Sequence, residues 1–252
     1  MTGEPYYADD LVTLFHGDCR EMTEWLAADV LVTDPPYGRG WRQGWSAKRG
    51  GLDGHEGIAG DEDTTVRDAA LRAWGDRLGV VFGDLMLGPP TGNKQTLVYR
   101  KPPGAGTKGT HAGFRRDAEA VYLVGPWPAS LGGMSSVLLS GARFQGGIIG
   151  CQSRYGHPHA KPVDVMETLI AACPPGIIAD PFAGSGSTLV AARNQGRHVI
   201  GVEIDERYAE RAARRLAQGV LEAMRSPLPA PVPVTGAAPA GRENSRRPEC
   251  AS

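Results

Sequence analysis

The residues best suited to chemistry form a short run, Asp34-Pro35-Pro36-Tyr37. An aspartate near neutral pH offers only acceptors, and the carbonyl of Pro35 adds another. Tyr37 brings a flat π-face three positions on. Acceptors for two N–H groups beside a ring that can stack suit a planar aromatic amine. The two prolines restrict the backbone before any ligand arrives, so these groups hold fixed directions. A plain proline turn with Tyr37 as packing is the competing reading. A second cluster lies far downstream, in Asp180-Pro181-Phe182-Ala183-Gly184-Ser185-Gly186-Ser187-Thr188 and in Glu203. Glycines let a backbone approach a ligand closely at a helix N-terminus. An acid at the tip of the next strand can accept from two ribose hydroxyls.

These groups need elements to position them. Val30-Leu31-Val32-Thr33 reads as a buried strand running straight into Asp34. Open α/β sheets carry their chemistry at the carboxyl ends of strands. Upstream, Leu11–Phe15 reads as a strand and residues 19–27 as a helix, a β-α-β opening. Asp18 sits where the first strand ends, placed either to touch a ligand or to cap that helix. Around the second cluster, Gly176–Ala179 is a strand, Leu189–Gln195 a helix and His198–Val202 a strand ending at Glu203. Gly184 and Glu203 are 19 residues apart, close to the spacing of a nucleoside-binding βαβ unit. The turn is not Gly-x-Gly-x-x-Gly and lacks the Gly-Lys-Ser/Thr of a phosphate loop. Phe182 offers an apolar wall for a ligand without phosphates.

The intervening chain supplies further elements. Residues 64–78 have a helical apolar side, and 79–83, 96–100 and 120–124 read as strands, the last two as a hairpin at one edge of the sheet. Residues 125–152 are weakly patterned and read as a loop or small insert. Pro162 opens a helix with Val165, Met166, Leu169 and Ile170 at helical spacing. A helix over 206–225 closes the fold, and the Pro/Ala-rich residues 226–252 read as a disordered tail. Residues 39–51 mix glycine with Arg39, Trp41, Arg42, Trp45, Lys48 and Arg49. Cations interleaved with aromatic faces suit a phosphate backbone and unstacked bases; an ordinary solvated loop is the alternative.

Composition narrows the classes. The 252 residues are 41% hydrophobic, enough for one good core. A net charge of −1 advertises no global attraction to nucleic acid, so any such surface is local. Cys19, Cys151, Cys173 and Cys250 show no metal-ligand spacing and read as free thiols in a reducing cytosol. His157 and His159 lack further partners, and no metal is expected. The polar, acidic first residues are unlike a signal peptide, and no apolar run approaches the length of a membrane span.

Three stretches in this order, Asp34-Pro35-Pro36-Tyr37, Lys161-Pro162 before a helix, and Phe182-Ala183-Gly184-Ser185-Gly186 with Gly201-Val202-Glu203, resemble the site-specific DNA amino-methyltransferases. The resemblance covers roughly residues 11–225, and the catalytic motif precedes the cofactor motif, as in the permuted β group. It implies an α/β, Rossmann-like S-adenosylmethionine-dependent methyltransferase fold, a mostly parallel sheet with one antiparallel edge hairpin. Residues 1–225 would be the catalytic domain, with a short target-recognition insert at about 125–152 and the basic loop 39–51. In such enzymes Asp34 and the Pro35 carbonyl accept from the exocyclic amine of a flipped base, and Tyr37 stacks on it. Phe182, Gly184, Gly186 and Glu203 hold the cofactor, with Asp180, Ser185 and Thr188 in the same turn. Lys161 lies toward the methionine end, and Asp18 near the adenine or the target base. The implied partner is double-stranded DNA, with a homodimer and a cognate restriction nuclease left open. The implied place is the cytoplasm of a bacterium or phage-infected cell. Asp-Pro-Pro-Tyr leans to adenine-N6 and Ser-Pro-Pro-Tyr to cytosine-N4, which stays the alternative. RNA, a small-molecule acceptor and a non-catalytic DNA- or cofactor-binding role are the others. The chain departs from the frequent His-Pro-Thr-Gln-Lys-Pro, with His157-Pro158-His159-Ala160-Lys161-Pro162 in its place.

Overall fold

Apolar runs too hydrophobic to face water on either side build the centre of the molecule. Val30–Thr33 (β3), Gly79–Gly83 (β4) and Ile178–Asp180 (β8) are buried at every position, the mark of strands covered on both faces. The computed structural model describes residues 3–40, 58–102, 105–106, 111–129, 133–140 and 160–225. The other strands are Tyr7–Ala8 (β1), Val12–His16 (β2), Asn93–Arg100 (β5), Ala118–Val124 (β6), Val137–Leu139 (β7) and Val199–Glu203 (β9). They form one nine-stranded sheet in the order β1-β2-β9-β8-β3-β4-β6-β5-β7. Neighbours from β2 to β4 are parallel, while β6 runs against both β4 and β5.

Period-two alternation sorts side chains to the two faces. Val30, Val32, Val80 and Phe82 share one core with Val165, Met166, Leu169 and Ile170 of the helix Val163–Ala172 (α2). Leu189 of Ser187–Asn194 (α3) and Leu216 of Glu206–Arg225 (α4) complete that layer. Leu31, Val81, Ala179 and Val202 face the other core, with Trp25 and with Trp74 of Thr65–Trp74 (α1). The two indoles stack 5.9 Å apart, and the Arg77 guanidinium lies 3.5 Å from the Trp74 ring while donating to the carbonyls of Leu26 and Ala28.

The predicted helix at 19–27 is reduced to one 3₁₀ turn, Glu24–Ala27. Local bonds compete with it. The Asp18 carboxylate takes the backbone N–H of Arg20, the Asp18 carbonyl takes those of Glu21 and Met22, and the Trp25 indole donates to the Cys19 carbonyl. Asp18 therefore caps no helix. The β5–β6 hairpin is also not the edge, because β7 pairs parallel with β5 outside it. Three residues are too few for an alternation to show in a stretch that reads as loop. Residues 130–132 and 141–152 of that stretch, and the predicted tail 226–252, lie outside the described residues. Cys19 and Cys173 are buried free thiols. Among the described residues no helix is long and apolar enough to cross a membrane.

Gly201 in β9 lets α3 sit close. A Cβ there would stand 2.8 Å from Cδ2 of Leu189 and 3.3 Å from the Cβ of Ala183, at the base of the glycine turn. Gly201→Ala is expected to destabilise the fold by about 1–3 kcal/mol through overpacking, read as a lower midpoint in urea unfolding.

Candidate active site

The central strands β3 and β8 are neighbours and end side by side. Their carboxyl tips are joined where the Thr33 hydroxyl donates to Asp180 Oδ1 at 2.7 Å. Asp34 follows immediately. Its Oδ1 accepts from the Tyr37 hydroxyl at 2.8 Å, and its Oδ2 from the Lys161 ammonium at 2.6 Å. Lys161 reaches the site from the residue before Pro162, which caps α2. The cluster extends further. Glu119 Oε2 lies 3.3 Å from Lys161 Nζ and 3.4 Å from the Tyr37 hydroxyl, and Glu119 Oε1 lies 2.6 Å from Lys101 Nζ. Carboxylate and ammonium thus alternate from Asp34 through Lys161 and Glu119 to Lys101. The Lys161 ammonium also sits 5.4 Å from the Tyr37 ring centre and 5.0 Å from that of Phe82, within cation–π range.

Burial and mutual charge tune these groups. For Asp34, burial and the nearby Glu119 charge push the carboxyl up, against the pull of Lys161. Glu119 would also be raised by burial, but Lys161 and Lys101 outweigh this and hold it at about 2. Burial alone would lower Lys161; the two carboxylates beside it keep it charged and push it up. Burial drives the Tyr37 phenol well above its ordinary value, with Asp34 and Glu119 adding to it, so the hydroxyl stays a donor.

A hollow opens beyond the tip of β8, toward β9 and β2. It is lined by Gly17, Asp18, Val66, Phe182, Glu203 and Ile204, among others. Gly184 and Gly186 turn the chain with φ of 52° and 80°. Gly186 caps α3, and a Cβ there would crowd Ala212 at 3.0 Å. Glu203 accepts from the N–H groups of Gly184 at 2.6 Å and Asp205 at 2.8 Å. Its two oxygens keep spare lone pairs. Burial pushes Glu203 up to about 7, and these N–H bonds recover only part of the shift. Burial likewise pushes Asp180 up to about 6, against hydrogen bonds from Thr188, Thr33 and the Phe182 N–H. Asp180 and Thr188 thus brace the turn from below. Ser185 and Ser187 are also buried, and Arg215 donates to the Ser185 carbonyl at 3.2 Å. Apolar Phe182, Val66 and Ile204 beside the carboxyls of Glu203 and Asp18 fit a nucleoside: flat faces for a ring, carboxyl oxygens for hydroxyl and amine donors.

These raised carboxyls have a consequence for stability. Unfolded carboxylates titrate near pH 4. Between about pH 4 and 7 the folded chain binds more protons at Asp180 and Glu203 than the unfolded chain does. Their contribution is full at the acidic end and is lost as pH rises through about 6 and about 7. Glu119 has the opposite sign: its contribution is present above the ordinary carboxylate range and is lost as pH falls toward about 2. Resistance to urea is expected to peak at about pH 4, where unfolded carboxylates titrate, and to decline as pH rises toward about 7. A profile that rises between those two pH values would contradict the protonated tendency of the buried pair.

The family model for DNA methylases (N6_N4_Mtase) matches residues 141–214, which hold Lys161-Pro162, the glycine turn and Glu203. Over 262 aligned residues the chain is 27% identical to the type II methyltransferase M.ScaI of Streptomyces caespitosus, covering 85% of this chain and 84% of that one. The chain is similar to the N6/N4 DNA methyltransferases. Two solved structures share this fold. One is the cytosine-N4-specific PvuII DNA methyltransferase, with a TM-score of 0.55 and 17% identity over 84% of this chain and 88% of that one. The other is the M1.HpyAVI–SAM complex, with a TM-score of 0.51 and 19% identity over 81% and 100%.

The two motifs meet at the tips of β3, β8 and β9, although 147 positions separate Thr33 from Asp180. Lys161, expected toward the methionine end of the cofactor, has its ammonium on Asp34 and Glu119, the carboxylates its buried charge finds. Asp18 lines the nucleoside hollow but is also tied to Arg20, 2.5 Å away. Arg39, expected to face DNA, has its guanidinium 2.5 Å from Asp84, so its charge is balanced within the protein. Trp41, Arg42, Trp45, Lys48 and Arg49 lie outside the described residues. Three contributors went unnoticed in the sequence. Glu119 and Lys101 join the catalytic cluster; the signal available was a lone acid in the apolar strand Ala118–Val124. Asp61 is buried and accepts from the Gly38 N–H at 2.9 Å, pinning the exit of the proline loop; nothing in its local sequence announces this.

Proposed function

We propose that this methyltransferase transfers a methyl group from S-adenosylmethionine to the exocyclic N6 of adenine in double-stranded DNA. The observation that carries the choice of base is an aspartate, Asp34, at the head of the proline loop. Its carboxylate is anchored through one oxygen to Tyr37 and through the other to Lys161. An ionised carboxylate has about four lone-pair sites, so acceptor capacity remains for a substrate N–H. The Pro35 carbonyl takes the second N–H. Accepting both draws the nitrogen lone pair out of conjugation with the ring and directs it toward the hollow beside Phe182. When bound there, S-adenosylmethionine supplies an electrophilic methyl group. Phe182 and the Gly184–Gly186 turn hold it, Glu203 accepts from its ribose hydroxyls, and Asp18 faces its adenine.

The nucleophile is the amine nitrogen itself, so no side chain forms a covalent bond. The surplus amine proton leaves after transfer, with Asp34 within reach to accept it. Tyr37, fixed through its hydroxyl, presents a ring against which the base stacks. A paired amine is out of reach inside the duplex, so the target base must leave the stack first. The chain's contribution is positioning and fixed electrostatics. Arg42, Lys48 and Arg49 act on the phosphate backbone and Trp41 and Trp45 on unstacked bases, which makes DNA affinity fall with salt.

The test is to incubate the protein with unmethylated DNA and S-adenosylmethionine, digest to nucleosides and weigh the products. N6-methyladenine supports the reading. N4-methylcytosine would keep the mechanism and move the enzyme to the base named for the PvuII methyltransferase. No methylated nucleoside, with cofactor binding shown separately, would sink the reading.

A further inference from the structure

We propose that Glu119 is a positioning residue for methyl transfer, holding Lys161 and Tyr37 so that Asp34 keeps acceptor sites directed at the substrate amine. The proposal rests on the reading of this site as an amino-methyltransferase centre. Glu119 comes from β6, the reversed strand, so its place near the start of that strand falls beside the carboxyl ends of β3 and β4. In register, Ala120 pairs with Gly83, the last residue of β4, and Glu119 pairs with Tyr99. The side chain is buried in an otherwise apolar strand. A buried carboxylate is retained at a desolvation cost, and pairing must offset it. Each oxygen is placed: Oε1 is 2.6 Å from Lys101, and Oε2 faces both Lys161 at 3.3 Å and the Tyr37 hydroxyl at 3.4 Å.

The alternation of charges gives the placement its meaning. Two carboxylates and two ammoniums balance, and Lys161 is shared between Asp34 and Glu119. Were Glu119 neutral, Lys161 would face Asp34 alone and draw more of its charge. The carboxylate would then be a poorer acceptor for an amine N–H, and the Tyr37 hydroxyl would face a weaker second acceptor. The titratable groups around Asp34 are Lys161 from the segment before α2, Glu119 from β6, Tyr37 from its own loop and Asp180 from β8. Of these, Glu119 raises Asp34 and Lys161 lowers it.

The test is Glu119→Gln, which keeps the shape and removes the charge. The expected result is kcat lower by about 10- to 100-fold, the scale of a misplaced reacting group, with S-adenosylmethionine affinity unchanged within about two-fold. In cofactor-free protein, the ¹³C carboxyl signal of Asp34, identified by its loss in Asp34→Asn, should titrate at lower pH than in wild type. Glu119→Asp restores the charge with a shorter reach, so it should recover the Asp34 midpoint and only part of kcat. If Glu119→Gln fails to fold, Lys101→Met/Glu119→Gln removes one ion pair together and the same two readouts apply. Unchanged kcat, or a lowered kcat with an unshifted Asp34 midpoint, overturns the proposal, the second outcome marking a merely structural residue. A wild-type protein that methylates no base would sink the amino-methyltransferase reading, while the carboxyl titration still judges Glu119 by itself.

Discussion

Replacing Asp34 by alanine is expected to lower methyl transfer to DNA by about 10³-fold, the upper range for removal of one preorganised electrostatic contact. S-adenosylmethionine affinity should stay close to that of wild type. The separation follows from the geometry. Asp34 is the tip of β3 and touches Tyr37 and Lys161, whereas the nucleoside hollow is lined by residues near the tips of β2, β8 and β9. The fold should survive, because Lys161 retains Glu119 and the Tyr37 hydroxyl retains its weaker bond to the same carboxylate. Asp34→Asn is the companion variant. It preserves volume but places an amide N–H where an acceptor is required, and so should lose nearly as much. Single-turnover methylation of a saturating DNA substrate, with calorimetric titration of the cofactor, measures both quantities. Loss of cofactor affinity equal to the loss of rate would contradict the division of labour between the Asp34 cluster and the hollow.

Glu203→Ala should do the reverse. Two hydroxyl donors to a buried carboxylate are lost, and charged hydrogen bonds of this kind contribute about 1.5–3 kcal/mol each. Because Glu203 also accepts from Gly184 and Asp205, part of the loss will come from a looser glycine turn. An S-adenosylmethionine Kd raised by about 30-fold or more is expected, on the scale of 1.4 kcal/mol per ten-fold. At saturating cofactor, kcat should be far less affected. The wild-type protein carries a built-in check. Its Glu203 is raised to about 7 by burial, so the carboxylate form is complete only above that pH. Cofactor affinity should weaken as pH falls from about 8 to about 6, and this dependence should vanish in Glu203→Ala. An alanine variant with the same pH slope as wild type would remove Glu203 from the ribose.

Most of the framework was legible in the chain alone. Apolar runs of strand length ending in Asp34, Asp180 and Glu203 were enough to place those acids at carboxyl tips, because a parallel strand buried on both faces admits no other pattern. The helices over Val163–Ala172, Ser187–Asn194 and Glu206–Arg225 were legible from apolar spacing and from a proline start or glycine turn. The helix expected at 19–27 was not to be had from periodicity, since side-chain bonds from Asp18 and Trp25 decide that segment. The strand Val137–Leu139 was equally hidden, being too short to alternate.

The charge balance of the site came from folding. The chain shows Lys101, Glu119 and Lys161 as isolated charges, each unremarkable among its neighbours. Strand order brings them together: the reversed β6 lies between β4 and β5, so Glu119 enters beside Asp34 from a segment 85 positions away in number and nothing local records it. The same holds for Lys161, whose partners could not be chosen from its motif, and for Asp61, which pins the loop after Tyr37. Local propensity specifies elements, but a buried ion finds its partner only once desolvation makes an unpaired charge costly. That condition exists in the assembled sheet and nowhere in the extended chain.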